Sequence, residues 1–238
     1  MIGDAEKIVY SWSPQRYIDL VENTRFPMLQ EYQRVELDYI TSKIQTPQAK
    51  TFIDIGAGYG RALPQLAEAA KRVIAIELDK EMLGELKRRA EGYKNVTAVS
   101  GDGNSLAEVL NDEDIQNPVL LSLQNSLGTW KGDYHLALAS MKQVAQAKGG
   151  EIVISLFRQE ALEEQGIPMY RTLEELVGEP DLERTDVKSG VFRSKTDYRS
   201  QWSTPEQRAE IADILGGQKA GEVLTPNFWI LHIQYPKQ

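Results

Sequence analysis

The chain has 238 residues, 41% of them hydrophobic and 26% charged, which is the profile of a globular protein with room for one α/β domain plus additions, or two small domains. It has no cysteine and only two histidines, His135 and His232, so disulfides, thiolate nucleophiles and thiolate metal sites are excluded and no metal centre is expected. The net charge of −8 without a long Lys/Arg block argues against a nucleic-acid partner, and the lack of an 18-residue apolar run or of a basic segment followed by an apolar one leads us to expect a cytoplasmic protein with no membrane partner.

The first fifty residues read as helical. A helix is expected to begin at Ser13 and Pro14, with Tyr17, Leu20 and Val21 on one stripe. Residues 23–27 break it, and a second helix over 28–43 carries Leu29, Tyr32, Val35, Tyr39 and Ile40 at helical spacing. The stretch TFIDIGAGYGR at 51–61 follows. A short apolar run containing Asp54 breaks into Gly56, Gly58 and Gly60, and then a helical stripe of Leu63, Leu66, Ala67 and Ala70 begins, with Pro64 in its first turn. Glycines here permit a tight strand-to-helix turn and let a ligand rest on the main chain. A dinucleotide fingerprint has the spacing GxGxxG, with pyrophosphate on the helix N-terminus. The spacing here is GxGxG, and a carboxylate at Asp54 would repel pyrophosphate while suiting a cationic or hydroxylated ligand.

This stretch resembles motif I of the class I methyltransferases that use S-adenosylmethionine. The resemblance implies that Asp54, Gly56, Ala57, Gly58 and Gly60 border that cofactor, whose amino group and sulfonium are cationic. The next stretch, RVIAIELDKEML, gives a buried strand over 73–76 ending at Glu77, then a helix with Met82, Leu83, Leu86 and Ala90 inward. Glu77, with Leu78 beside it, stands where an adenosine ribose would present its hydroxyls. The third strand, in NVTAVSGDGNSL, should bury Val96, Ala98 and Val99 and end at Gly101 and Asp102. The resemblance implies that Asp102 accepts from the adenine amine and that Gly103 offers a backbone contact.

Residues 119–123 form another buried strand, and Gln124, Asn125 and Ser126 fall at its carboxyl end, where open α/β sheets place ligands. The family's fourth motif lies here, so Gln124 and Asn125 are candidate contacts, with a turn-stabilising amide the alternative for Asn125. The Asn-Ser pair is similar to that of members acting on small amines, and the Asp/Asn-Pro-Pro-Tyr/Phe pattern of enzymes that methylate nucleobase or glutamine amino groups is missing. A helix over 133–148 should face Leu136, Met141, Val144 and Ala145 inward and stop at Gly149 and Gly150, with His135 exposed. Residues 151–157 make the fifth strand, and Arg158 follows, either for a substrate carboxylate or in a surface salt bridge.

The last third changes character. Thr172 to Glu175 has the capping-box spacing of a helix start. Residues 178–200 are the least regular, with strand-like stretches over 190–203. Thr204 to Gln207 is a second capping box with Pro205 at the first helical position, its helix ending at Gly216 and Gly217, and residues 228–235 form a terminal apolar strand. The resemblance, spanning about 50–236, makes the stretch over 190–203 and the terminal strand the sixth and seventh strands.

The expected architecture is therefore a Rossmann-like three-layer α/β sandwich with a mostly parallel seven-stranded sheet whose last strand is antiparallel. Residues 50–238 would form the S-adenosylmethionine-binding domain, and the family implies that residues 1–49 form a helical lid over the cleft. Tyr10, Trp12, Arg25, Arg158 and Arg199 are candidates for acceptor contacts, with packing roles open for each. The expected function is transfer of a methyl group to the nitrogen or oxygen of a small molecule, with no catalytic residue assigned. A nicotinamide-dependent oxidoreductase using the same turn, and a non-catalytic domain that only binds the cofactor, are the alternatives.

Overall fold

A computed structural model describes residues 14–237 apart from 112, 114 and 116. Two helices, α1 (Pro14–Glu22) and α2 (Pro27–Lys43), precede β1 (Thr51–Ile55), α3 (Leu63–Ala69), β2 (Arg72–Glu77), α4 (Lys80–Ala90), β3 (Val96–Ser100), α5 (Leu106–Val109) and β4 (Pro118–Ser122). Then come α6 (Tyr134–Lys148), β5 (Glu151–Phe157), α7 (Ile167–Thr172), α8 (Glu174–Val177), the hairpin β6 (Val191–Arg193) and β7 (Arg199–Gln201), α9 (Pro205–Leu215), β8 (Gln218–Leu224) and β9 (Phe228–Gln234).

Seven strands form one sheet in the order β3-β2-β1-β4-β5-β9-β8. The first five are parallel, and β9 runs antiparallel to both β5 and β8. Side-chain alternation sends Phe52, Val73, Val119 and Val153 to one face, where α2, α3 and α4 cover them. Ile53, Ile74, Leu120 and Ile152 go to the other, under α6 and α9. The central strands β1, β4 and β5 are buried along their whole length, as parallel strands covered on both faces must be. The order reverses between β1 and β4, which opens a crevice at the carboxyl ends of those two strands. No helix among the described residues is long and apolar enough to cross a membrane.

Several expectations need correcting. The sixth strand of the sheet is β8, which follows α9, and the stretch over 190–203 is a separate two-stranded hairpin. The β8 sequence QKAGEVL is polar because it lies at the sheet edge and is mostly exposed. Thr172 caps nothing: it ends α7, and its hydroxyl donates to the Met169 carbonyl. Leu136 is 55% exposed, and Ala137 and Leu138 occupy the inward face instead. Val96, Ala98 and Val99 are only half-buried, since β3 is the other edge. In α1 the buried residues are Ile18 and Val21, with Tyr17 half-buried.

Helix α2 belongs to the core. Tyr32 is fully buried between Phe157 and Phe228, at centroid distances of 4.8 and 4.9 Å. Tyr39 and Ile40 are buried in the same cluster. One residue on this inward face is charged, Glu36, at 1% exposure. Such a carboxylate is tolerated only with partners that replace its water.

Candidate functional site

The glycine turn leaves β1 at the crevice. Gly56, Gly58 and Gly60 all have positive φ, +71°, +57° and +86°, but they serve different ends. A β-carbon on Gly58 would meet nothing within 4 Å, so its Cα faces open space. One on Gly60 would press on Leu63 and Leu86 at 2.8 Å. Gly60 is buried, and its lack of a β-carbon lets α3 seat against α4. Gly56 is exposed and Ala57 half-buried.

Glu77 ends β2 directly opposite this turn. One carboxylate oxygen accepts from the Gly58 nitrogen at 2.7 Å, and the other from the nitrogens of Leu78 and Asp79 at 2.9 and 2.8 Å. Burial raises the Glu77 pKa, and those three N–H groups oppose the rise. Leu78 is 58% exposed beside it. At the next strand end Asp102 accepts from the Asn104 nitrogen at 2.9 Å. Trp130, which carries no signal in the sequence, closes this side. Its ring packs on Gly103 so tightly that any β-carbon there would collide with it, and its Nε1 donates to Asn104 Oδ1 at 3.0 Å. Leu78 and Trp130 are apolar surfaces flanking two acids, a combination that suits a flat aromatic ring joined to a hydroxylated sugar.

Asp54, 3% exposed, has its pKa pushed up to about 7 by burial, with Arg61 opposing the rise and Glu36 and Glu77 adding to it. Arg61 is ion-paired with Glu36. Burial works against the Arg61 charge, yet the Glu36 carboxylate outweighs it and holds the guanidinium pKa above its ordinary value. Glu36 also accepts from the Gln124 nitrogen at 2.6 Å and from the Ser155 hydroxyl. The buried nitrogen Nη1 of Arg61 has no hydrogen-bond partner among the described residues. A buried carboxylate on α2 thus ties the glycine turn, through Arg61, to the ends of β4 and β5.

Gln124 and Asn125 both have left-handed backbone, φ +49° and +60°, which bends the chain sharply after β4. The Gln124 nitrogen is taken by Glu36 and Ser155. Asn125 is 1% exposed, and both ends of its amide are engaged: Oδ1 accepts from the Phe157 nitrogen at 3.1 Å, and Nδ2 donates to Ser200 Oγ and the Gln201 carbonyl at 3.2 Å. The structure thus gives the Asn125 side chain the turn-stabilising role rather than a ligand contact. Its neighbour Ser126 lies 3.5 Å from the β-carbon position of Gly56.

Of the acceptor candidates, Arg158 donates to the Thr225 carbonyl and is ion-paired with Glu160, so it pins β5 to the β8–β9 loop. Arg25 is exposed and makes no ion pair among the described residues. Arg199 lies on the β6–β7 hairpin. Tyr10 and Trp12 fall outside the described residues. His135, exposed, contacts Asp133 and Glu210 at 2.5 and 3.2 Å. No metal-binding cluster occurs among the described residues. Helix α1 packs on the turn through Ile18, Tyr17 and Tyr59, and burial raises the Tyr17 hydroxyl pKa beside Arg61 and Glu77. A cavity of about 340 Å³ at the opposite, amino edge of the sheet is lined by Lys50, Asn117 and Gly150 and does not communicate with these acids.

Residues 52–149 match the family described as "Methyltransferase domain". A curated relative, the probable ribosomal RNA small subunit methyltransferase A of Methanosarcina mazei, is 36% identical over 66 residues, 28% of this chain and 24% of the relative. The chain thus spans about a quarter of the length of that relative. Among solved structures, a SAM-dependent methyltransferase from Aquifex aeolicus superposes with a TM-score of 0.58 at 15% identity, over 94% of this chain and 99% of that one. The 1,6-didemethyltoxoflavin-N1-methyltransferase of Burkholderia thailandensis, solved with 1,6-didemethyltoxoflavin and S-adenosylhomocysteine, superposes with a TM-score of 0.56 at 13% identity, over 94% and 87% of the two chains. The fold is shared with these structures.

Proposed function

We infer that this chain, which carries a class I S-adenosylmethionine-dependent methyltransferase domain, moves the cofactor's methyl group to a nitrogen or oxygen of a small-molecule acceptor. One observation carries this reading: Asp54, Glu77 and Asp102, from three different strand ends, stand at the same rim as the glycine turn, with Glu77 already bonded to the Gly58 nitrogen. In this assignment Glu77 takes the ribose hydroxyls, Asp102 the adenine amine, and the ring lies between Leu78 and Trp130. Gly58 leaves its Cα side open to the ligand, and Asp54 faces its cationic end.

The bound sulfonium supplies an already activated leaving group, so the protein's task is alignment. The Glu36–Arg61 pair and the left-handed turn at Gln124 and Asn125 fix the crevice walls in place. Rigid placement of two reactants can remove about 7–11 kcal/mol of a barrier. No general base is assigned. We also take the helical extension ahead of β1 as the cover of the cleft, with α2 as its anchored base and α1 resting on Tyr59; residues 1–13 of that extension lie outside the described residues.

The net charge of −8 supports a small acceptor. An RNA acceptor is the second reading, favoured by the names of the sequence relatives. A nicotinamide oxidoreductase is disfavoured because Tyr39, which has the Tyr-x-x-x-Lys spacing to Lys43, is buried with its hydroxyl 3.3 Å from His232. The test is transfer of labelled methyl from S-adenosylmethionine in parallel to a metabolite panel and to ribosomal RNA. Label in a metabolite supports the proposal. Label only in RNA replaces it with the second reading, and tight cofactor binding with no transfer points to a non-catalytic domain.

A further inference from the structure

The two terminal nitrogens of the Arg61 guanidinium have different fates. Nη2 is ion-paired with Glu36 on α2, while Nη1 is buried and finds no hydrogen-bond partner among the described residues. A buried cationic donor is costly to leave unpaired, and native proteins pair nearly all of them. Nη1 is therefore a donor still open to an acceptor that a ligand brings.

Its surroundings place it in the crevice. Arg61 follows the glycine turn that leaves β1. Glu36, which holds Nη2, also accepts from the Gln124 nitrogen past the end of β4, at 2.6 Å, and from the Ser155 hydroxyl on β5. The guanidinium is thus clamped between the ends of β1 and β4, where the strand order reverses. Its charge bears on the Asp54 carboxyl of β1, opposing the rise in that pKa, and on the Tyr17 hydroxyl of α1.

S-adenosylmethionine ends in an amino acid, so it carries a carboxylate beside its ammonium and sulfonium. Asp54, Glu77 and Asp102 would each repel that carboxylate, and no contact assigned above receives it. The sheet order β3-β2-β1-β4 sets Asp102, Glu77 and Arg61 one after another along the rim. Adenine, ribose and amino acid follow each other in the same order along the cofactor.

We propose that Arg61, through Nη1, binds the carboxylate of the cofactor and fixes which way its amino-acid end lies. This rests on the methyltransferase reading of the crevice. A guanidinium can serve two carboxylates at once because its donors point in different directions. Glu36 holds the fork in place, and the idle nitrogen takes the ligand. With Asp54 drawing the neighbouring ammonium, the two charges of the amino-acid end are told apart, and the sulfonium is set between this end and the ribose on Glu77.

The experiment titrates the full chain calorimetrically, at low ionic strength, with S-adenosylmethionine and with its decarboxylated form, which keeps the adenosine, sulfonium and amine and lacks only the carboxylate. The parent should bind S-adenosylmethionine roughly tenfold or more tightly than the decarboxylated compound. Arg61→Lys keeps a cation for Glu36 but loses the fork, and should cut that preference by at least about threefold. Glu36→Gln/Arg61→Met removes the ion pair as a unit, and should leave a preference of about twofold or less. Glu36→Gln alone retains the guanidinium and should retain the preference. A merely structural role for Arg61 would weaken both compounds alike and leave their ratio unchanged. Equal binding of the two compounds by the parent, or the parent's ratio in either Arg61 variant, overturns the proposal while leaving the cofactor reading intact. Failure of the parent to bind either compound removes the cofactor reading and the proposal with it.

Discussion

The Glu77 carboxylate, at the end of β2, accepts a hydrogen bond from the Gly58 nitrogen at 2.7 Å, which joins the second strand's acid to the turn leaving the first. With this carboxylate as the ribose anchor, two charge-assisted bonds of about 1.5–3 kcal/mol each are at stake. Glu77→Ala should therefore weaken S-adenosylhomocysteine binding by roughly 10²-fold or more in calorimetry. Its effect on urea unfolding should be small, about 1 kcal/mol, because the released N–H groups can reach water. Unchanged affinity would remove the ribose assignment.

Asp54 gives the site a pH dependence. Its pKa is raised from 3.8 to about 7 in the folded protein, so between those values the folded state holds a proton that the unfolded chain has lost. Stability of the ligand-free protein therefore falls as pH rises through that window. A cationic ligand favours the ionised carboxylate, so S-adenosylmethionine should bind more tightly as pH rises from about 6 to 8. Calorimetry at about pH 6.5 in two buffers of different ionisation enthalpy should show proton release on binding. Asp54→Asn should abolish both the release and its share of the stability trend; a variant with the parent's proton release would show that another group titrates.

Glu36 and Arg61 form a buried pair whose halves are costly alone. Glu36→Ala strands the guanidinium and deprives the Gln124 nitrogen and Ser155 of an acceptor, so a loss of about 3–5 kcal/mol in urea unfolding is expected. The double variant Glu36→Leu/Arg61→Leu should recover a large part of that loss. Additive losses in the double variant would show that the two side chains do not act as a pair.

Gly58 and Gly60 should respond differently to alanine. Both are left-handed, which costs about 1 kcal/mol for a residue with a β-carbon. Gly60→Ala adds a clash with Leu63 and Leu86, so it should unfold more readily than Gly58→Ala by about 1–3 kcal/mol. Gly58→Ala should fold but bind S-adenosylhomocysteine more weakly, because its methyl enters the open side of the turn. Equal effects of the two on unfolding and on binding would contradict this division.

The parallel half of the fold was legible because its strands are continuous apolar runs and its helices carry clean stripes: Met82, Leu83, Leu86 and Ala90 are all buried. The Thr204 capping box was legible for the same local reason, and it forms with both reciprocal bonds. Thr172 has the same spacing but ends a helix, because its hydroxyl bonds backwards to Met169; spacing alone does not give direction. β8 was missed because an exposed edge strand has no need of apolar residues. The acids at the strand ends were legible because each lies within or just past the end of an apolar run. Glu36 could have been found as an acid four residues after Tyr32 and three before Tyr39 on an otherwise apolar stripe, a position that requires a cation nearby, although which arginine supplies it depends on tertiary packing. Trp130 gave no such signal, since its meaning depends on which segments the fold brings alongside it.

The most direct test is a crystal structure of the chain at saturating S-adenosylhomocysteine. Density is predicted at the carboxyl ends of β1, β2 and β3, with both ribose hydroxyls on Glu77, the adenine amine on Asp102 and the ring between Leu78 and Trp130. Density for the compound anywhere else, or none at that rim with Glu77 still bonded to Gly58, would contradict the assignment of the three acids to the cofactor.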